Sequence, residues 1–168
     1  ILYRATSSET FEQALSPSDR IKLLSLPQPM SDKMQELIQE FKVDGGNLES
    51  YAQNVLTYYR KNFKYTLKPG RLSDLSVENF VFNGKNGFCE HFATSFAYLM
   101  RAGGYPARVV AGFQGGKRNK YSDYYIVSNR DAHAWTEVYN DKTQTWQRFD
   151  PTDAVAPLRL ELGSELFF

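Results

Sequence analysis

One cysteine, Cys89, and two histidines, His91 and His133, are the only thiol and imidazole groups in the 168-residue chain. A lone thiol excludes an internal disulfide, and this set falls short of the four N or S ligands usual for structural zinc, so neither a disulfide framework nor a metal is expected. Excess charge is equally scarce: twenty basic residues stand against nineteen acidic, a net charge of +1. That balance is too even to drive binding to a phosphate backbone or an anionic bilayer, and it removes nucleic acid from the expected partners. No run of about 18 apolar residues exists, so no segment reads as a membrane-spanning helix and the fragment itself requires no membrane contact. Internal repeats are also missing. The chain opens on Ile1-Leu2-Tyr3-Arg4, without an initiator Met or an apolar signal core, and stops at Phe167-Phe168, so it reads as excised from a longer protein.

What is present describes a folded domain. Hydrophobic residues make up 42% and charged residues 23%, near the globular norm. Ser16-Pro17-Ser18 and Leu26-Pro27-Gln28-Pro29 leave room for at most a short helix in the first thirty residues. From a Ser31 N-cap, Met34, Leu37, Ile38 and Phe41 recur at helical spacing until Asp44-Gly45-Gly46. A second helix is predicted over Leu48–Asn62, with Tyr51, Val55 and Tyr58 or Tyr59 inward, then a short strand over Phe63–Leu67. The turn formers Pro69-Gly70, Asn83-Gly84 and Asn86-Gly87 predict one long loop over 68–88. A strong helical pattern runs from Cys89 to Ala102 and meets Gly103-Gly104. Strands are predicted at Ala107–Phe113, Tyr124–Ser128, Ala132–Tyr139 and Thr145–Phe149. Helices first and an antiparallel sheet afterwards predict an α+β fold.

Cys89 heads a stripe with Phe92, Ala93, Phe96 and Met100 on one face of its helix. A buried free cysteine acting as a small hydrophobe is the plain alternative. Its place at a helix start favours the thiolate, because the first-turn N–H groups and the helix dipole attract negative charge. Gly87, two residues earlier, would let a substrate chain come close to the sulfur. His91 is two positions on and points away from Cys89, reading as a partly exposed helix residue beside Tyr98. The base is therefore expected to be His133.

His133, Trp135, Glu137 and Tyr139 share one strand face, and Trp146, Arg148 and Asp150 share one face of the next. A tight turn centred between Asp141 and Lys142 would set Tyr139 opposite Gln144, Glu137 opposite Trp146, Trp135 opposite Arg148 and His133 opposite Asp150. The Trp135–Arg148 pair would have cation–π character. A carboxylate on one imidazole nitrogen and a thiol on the other is the arrangement a cysteine nucleophile needs. Taken singly, His133 reads as a core histidine and Asp150-Pro151 as a turn; the coincidence of all three favours catalysis. Gln114–Ser122, with Lys117, Arg118 and Lys120, is expected as a flexible hairpin tip that either borders the cleft and meets an acidic substrate or is merely solvated.

Through these residues the chain resembles a known family. Asn86-Gly87-Phe88-Cys89-Glu90-His91-Phe92-Ala93, the stretch Leu99 to Phe113, Asp131-Ala132-His133-Ala134-Trp135 and Trp146-Gln147-Arg148-Phe149-Asp150-Pro151-Thr152 resemble the transglutaminase-like superfamily of papain-type folds. Within it the chain is most similar to the bacterial TgpA-type members. The resemblance implies a papain-like fold with 1–30 as an N-terminal arm or linker, 31–153 as the catalytic domain and 154–168 as a C-terminal extension. It implies nucleophile Cys89, base His133 and orienting Asp150, and no cofactor. The implied reaction is acyl transfer from a glutamine-type or peptide amide on a protein or peptide substrate, with an amine or water as acceptor. A cysteine peptidase or amidase acting on peptides or cell-wall cross-bridges, and a noncatalytic binding module, are the rival readings. A periplasmic position in a parent protein with membrane helices is implied by resemblance alone. For the oxyanion, the Cys89 amide is the natural donor, with Asn83 or Asn86 as second-donor candidates. Both tryptophans, Trp135 and Trp146, follow the cysteine, which departs from the upstream tryptophan of animal transglutaminases.

Overall fold

The computed structural model describes residues 14–27, 29–42, 46–69 and 76–157. Each early helix begins on a side-chain cap that relieves first-turn amides. In α1 (Pro17–Leu24) Ser16 accepts from the Asp19 amide, in α2 (Asp32–Phe41) Ser31 accepts from Met34, and in α3 (Leu48–Asn62) Asn47 accepts from Ser50. The expected stripe Met34, Leu37, Ile38 and Phe41 is buried, and of the two adjacent tyrosines Tyr59 is the one fully enclosed. Residues 43–45, where α2 was expected to end, lie outside the described residues. Within the supposed N-terminal arm, α1 rests on the central helix, and Arg20 pairs with Asp141.

The stretch expected to be one loop has structure. After β1 (Lys64–Tyr65), shorter than predicted, residues 70–75 lie outside the described set, and a single turn α4 (Val77–Asn79) widens into a π-turn over Phe80–Gly84. Lys85 then adopts φ 54°, and β2 (Asn86–Gly87) pairs in parallel with β1. The turn formers were legible, but the parallel pairing joins segments some twenty residues apart, which local propensity does not report.

Helix α5 (Cys89–Gly103) is the axis of the core. Tyr51, Tyr59, Phe92, Phe96, Leu99, Met100 and Val138 are all buried around it. Tyr51 donates to the Leu99 carbonyl at 2.8 Å, and the Tyr59 and Ser95 hydroxyls meet at 2.7 Å, so these two phenols are satisfied. The helix lies on a three-stranded antiparallel sheet in the order β3 (Ala107–Phe113), β6 (Ala132–Asn140), β7 (Thr145–Phe149). Ala134, Thr136 and Val138 of β6 face it, and Thr136 Oγ1 donates to the Ala93 carbonyl at 2.9 Å. A short ribbon of β4 (Lys117–Arg118) and β5 (Tyr125–Ile126) replaces the longer strand predicted at 124–128, and α6 (Pro151–Val155) packs on α3 and α5.

The β6–β7 register differs from the expected one by two residues. Glu137 pairs with Arg148, Tyr139 with Trp146 and Asn140 with Thr145. The cause is the turn: Asn140 Oδ1 accepts from the Lys142 amide and Gln144 takes φ 54°, so residues 141–144 form a four-residue loop rather than a two-residue one. A slip of two preserves every side chain's face, where a slip of one would have reversed it.

Candidate active site

The three expected residues come together at the start of α5. The β6–β7 ladder ends at Thr136–Phe149, so His133 has no residue directly across on β7 and reaches Asp150 diagonally. Its Nε2 lies 2.6 Å from Asp150 Oδ2. The other oxygen, Oδ1, accepts the Thr152 amide at 3.2 Å as the N-cap of α6. The Asp-Pro pair therefore does both jobs, starting a helix and holding an imidazole. With Nε2 committed to Asp150, Nδ1 is left for the Cys89 thiol, with which His133 shares a side-chain hydrogen bond.

His133 is 4% exposed, and burial alone would push its pKa down. The hydrogen bonds to Asp150 and Cys89 and the charges of both oppose this, and the imidazole is raised to about 9. Cys89 is 7% exposed and packs with Phe88, Ala93 and Ala134. At the first position of α5 its amide has no intrahelical acceptor and lies at the positive end of the dipole. A cleft of about 300 Å³ opens onto Cys89 and His133, bordered by Tyr65, Leu67, Phe88, Gly112 and Arg130.

Asn83 Nδ2 donates to Asn79 Oδ1 at 2.9 Å, within the π-turn, and Asn86 sits exposed on β2; neither borders the cleft. His91 faces away from Cys89 as expected, into a separate cavity of about 170 Å³ with Phe80 and Thr94. Its neighbours are Phe88 and Phe80, at ring distances of 4.4 and 5.5 Å, rather than Tyr98, and its Nδ1 accepts the Phe88 amide at 3.5 Å. Burial lowers its pKa against the opposing charge of Glu90, which suits an acceptor nitrogen. Gly87 also has another reason than substrate approach: a Cβ there would lie 2.8 Å from His91 Cβ and 3.0 Å from the Phe80 ring. Cleft residues that the pattern did not single out include Tyr65, Leu67 and Arg130; only the closeness of Asn129-Arg130-Asp131 to His133 in sequence hinted at the last.

A helix-head thiol facing an imidazole and carboxylate on a papain-like α+β frame defines a class of thiol-dependent acyl-transfer folds. The family model described as the transglutaminase-like superfamily matches residues 35–151, more than two thirds of the chain, which belongs to that superfamily. The chain is 36% identical to a protein-glutamine gamma-glutamyltransferase of Pseudomonas aeruginosa over 168 residues, covering 98% of this chain and 25% of that protein. Its fold superposes on the crystal structure of the periplasmic domain of TgpA from Pseudomonas aeruginosa with TM-score 0.83 and 37% identity, covering 92% of this chain and 54% of that one. A putative cysteine protease from Cytophaga hutchinsonii is similar at TM-score 0.60 and 25% identity, covering 86% of this chain and 45% of that one. The chain thus spans about a quarter of the curated relative and about half of the TgpA domain.

Proposed function

We propose that this chain catalyses thiol-dependent acyl transfer from a glutamine-type or peptide amide. The Cys89 thiolate attacks the amide carbonyl, and the tetrahedral intermediate's oxyanion is met by the Cys89 amide. His133 gives its proton to the departing nitrogen, releasing ammonia or an amine and leaving a thioester on Cys89. An incoming amine or water then attacks the thioester; His133 takes the proton and the C–S bond breaks, regenerating the thiolate. Asp150 stabilises the imidazolium formed in each half and fixes the ring. The observation that carries this reading is the line Asp150–His133–Cys89, with its 2.6 Å carboxylate–imidazole bond beside an open cleft.

The substrate under this reading is a protein or peptide bearing the amide, with an amine acceptor for transfer. The likeness to periplasmic TgpA domains supports an extracytoplasmic site of action; a parent protein with membrane helices is part of the same proposal. Incubation with a glutamine-containing peptide and a labelled primary amine tests the reaction: the parent protein incorporates label and Cys89→Ala does not. The likeness to a putative cysteine protease favours a second reading, peptide-amide hydrolysis by the same three residues. Hydrolysed product with no amine adduct, at millimolar amine, would select it.

A further inference from the structure

Behind His133, on the sheet face away from α5, stands an ordered stack. The Trp135 ring lies nearly parallel to the imidazole, at 25° and 6.3 Å between centroids. Its six-membered ring covers Gly112, where a Cβ would come within 2.9 Å, so glycine is required for the indole to lie there. The Arg148 guanidinium sits 4.3 Å over Trp135. Arg148 pairs in register with Glu137, its natural ionic partner, yet Glu137 is taken by Arg108 at 2.7 Å, and Arg108 itself caps the other indole, Trp146, at 3.9 Å. Displaced from Glu137, Arg148 points its Nη2 to Asp150 Oδ2 at 3.6 Å, the same oxygen that holds His133.

We propose that Arg148 is a positioning residue for the base, which acts through Asp150 to loosen the hold on the His133 proton. One carboxylate oxygen shared between an imidazole and a guanidinium is a poorer acceptor than one serving the imidazole alone, because the fixed cation already satisfies part of its charge. The reaction needs this. An imidazolium bound too tightly to Asp150 orients well but surrenders its proton slowly to a departing nitrogen. The other charged or titratable groups lining this cleft with His133 are Tyr65 from β1, Cys89 and Glu90 from α5 and Arg130 from the turn before β6; β3 contributes only Ala111 and Gly112. Arg148 is the cation placed on the imidazole's own acceptor.

The inference builds on the Cys89–His133–Asp150 reading, and its test reads the imidazole rather than turnover. In a Cys89→Ser background, where no thiolate titrates with the ring, the His133 midpoint is followed by two-bond 1H–15N NMR; His91 is the only other histidine to assign. Arg148→Met keeps an unbranched cover over Trp135 and removes the charge, and Arg148→Lys keeps the charge. The expected result is a midpoint raised by about half a pH unit in Arg148→Met, the order expected of one half-exposed charge a few ångströms away, with Arg148→Lys close to the parent. An unchanged midpoint in Arg148→Met overturns the proposal. So does a lowered one, which would show that Arg148 merely holds the pair together, and so does an equal rise in Arg148→Lys. None of these outcomes bears on amine incorporation, so the two readings fail separately.

Discussion

Asp150 grips His133 from a diagonal position, with Oδ2 at 2.6 Å from Nε2, while its second oxygen caps the helix that Pro151 opens. One carboxylate therefore ties the base to the end of the sheet and to α6. Asp150→Asn retains an oxygen able to cap but loses the charge that favours imidazolium. Amine incorporation should fall by about 10³–10⁴-fold, with a melting temperature within a few degrees of the parent. Near-parental turnover would remove Asp150 from the mechanism.

The same contact makes stability depend on pH. His133 is raised from 6.5 to about 9, so the folded state binds this proton more tightly than the unfolded chain. Its stabilising contribution is complete below about pH 6.5 and is lost as pH rises through about 9. Denaturant midpoints should decline across that window in the parent protein and decline less in Asp150→Asn. Parallel curves for the two proteins would contradict the linkage.

Cys89, next to an imidazole and at a helix start, should react with iodoacetamide near pH 6 faster than a free model thiol, despite its low exposure. His133→Ala should abolish the advantage. An inert thiol in the parent would favour the noncatalytic module.

His91→Ala should leave amine incorporation within a few-fold of the parent. The substitution removes the acceptor of the Phe88 amide and the ring between Phe80 and Phe88, so a loss of about 1 kcal/mol in stability is expected, read by urea denaturation. A loss of activity comparable to that of Asp150→Asn would reassign the base.

Thr136→Val removes the bond from β6 to the Ala93 carbonyl, which keeps its intrahelical donor in α5. The cost should be about 0.5–1.5 kcal/mol by urea denaturation, with activity per folded molecule retained. No loss would mean that the helix-to-sheet bond contributes little to the frame of the site.

The periodic parts of the chain were legible because local chemistry dictates them: Ser31 and Asn47 cap their helices, and Met34 to Phe41 and Cys89 to Met100 show one apolar face each. The alignment of His133 with Asp150 was legible by parity alone. Its register was not, because the Asn140 side chain and the left-handed Gln144 build a longer turn than Asp141-Lys142 suggested. The parallel β1–β2 contact depends on a pairing distant in sequence, and the π-turn is a local turn that the turn formers do not distinguish from a loop; of the stack behind His133, the Trp135–Arg148 cation–π pair was legible. Gly87 stood out for substrate approach, and the structure adds a packing reason that the sequence did not show, the closeness of His91 and Phe80.

The proposed mechanism passes through an acyl-enzyme on Cys89. Mixed with a glutamine-containing peptide, quenched in acid and analysed by intact-mass and peptide mass spectrometry, the protein should carry an adduct of the donor minus ammonia on Cys89. The adduct should vanish when a primary amine is added before quenching, and it should be missing from Cys89→Ala. Amine incorporation that proceeds unchanged in Cys89→Ala, or an adduct mapped to another residue, would contradict the account.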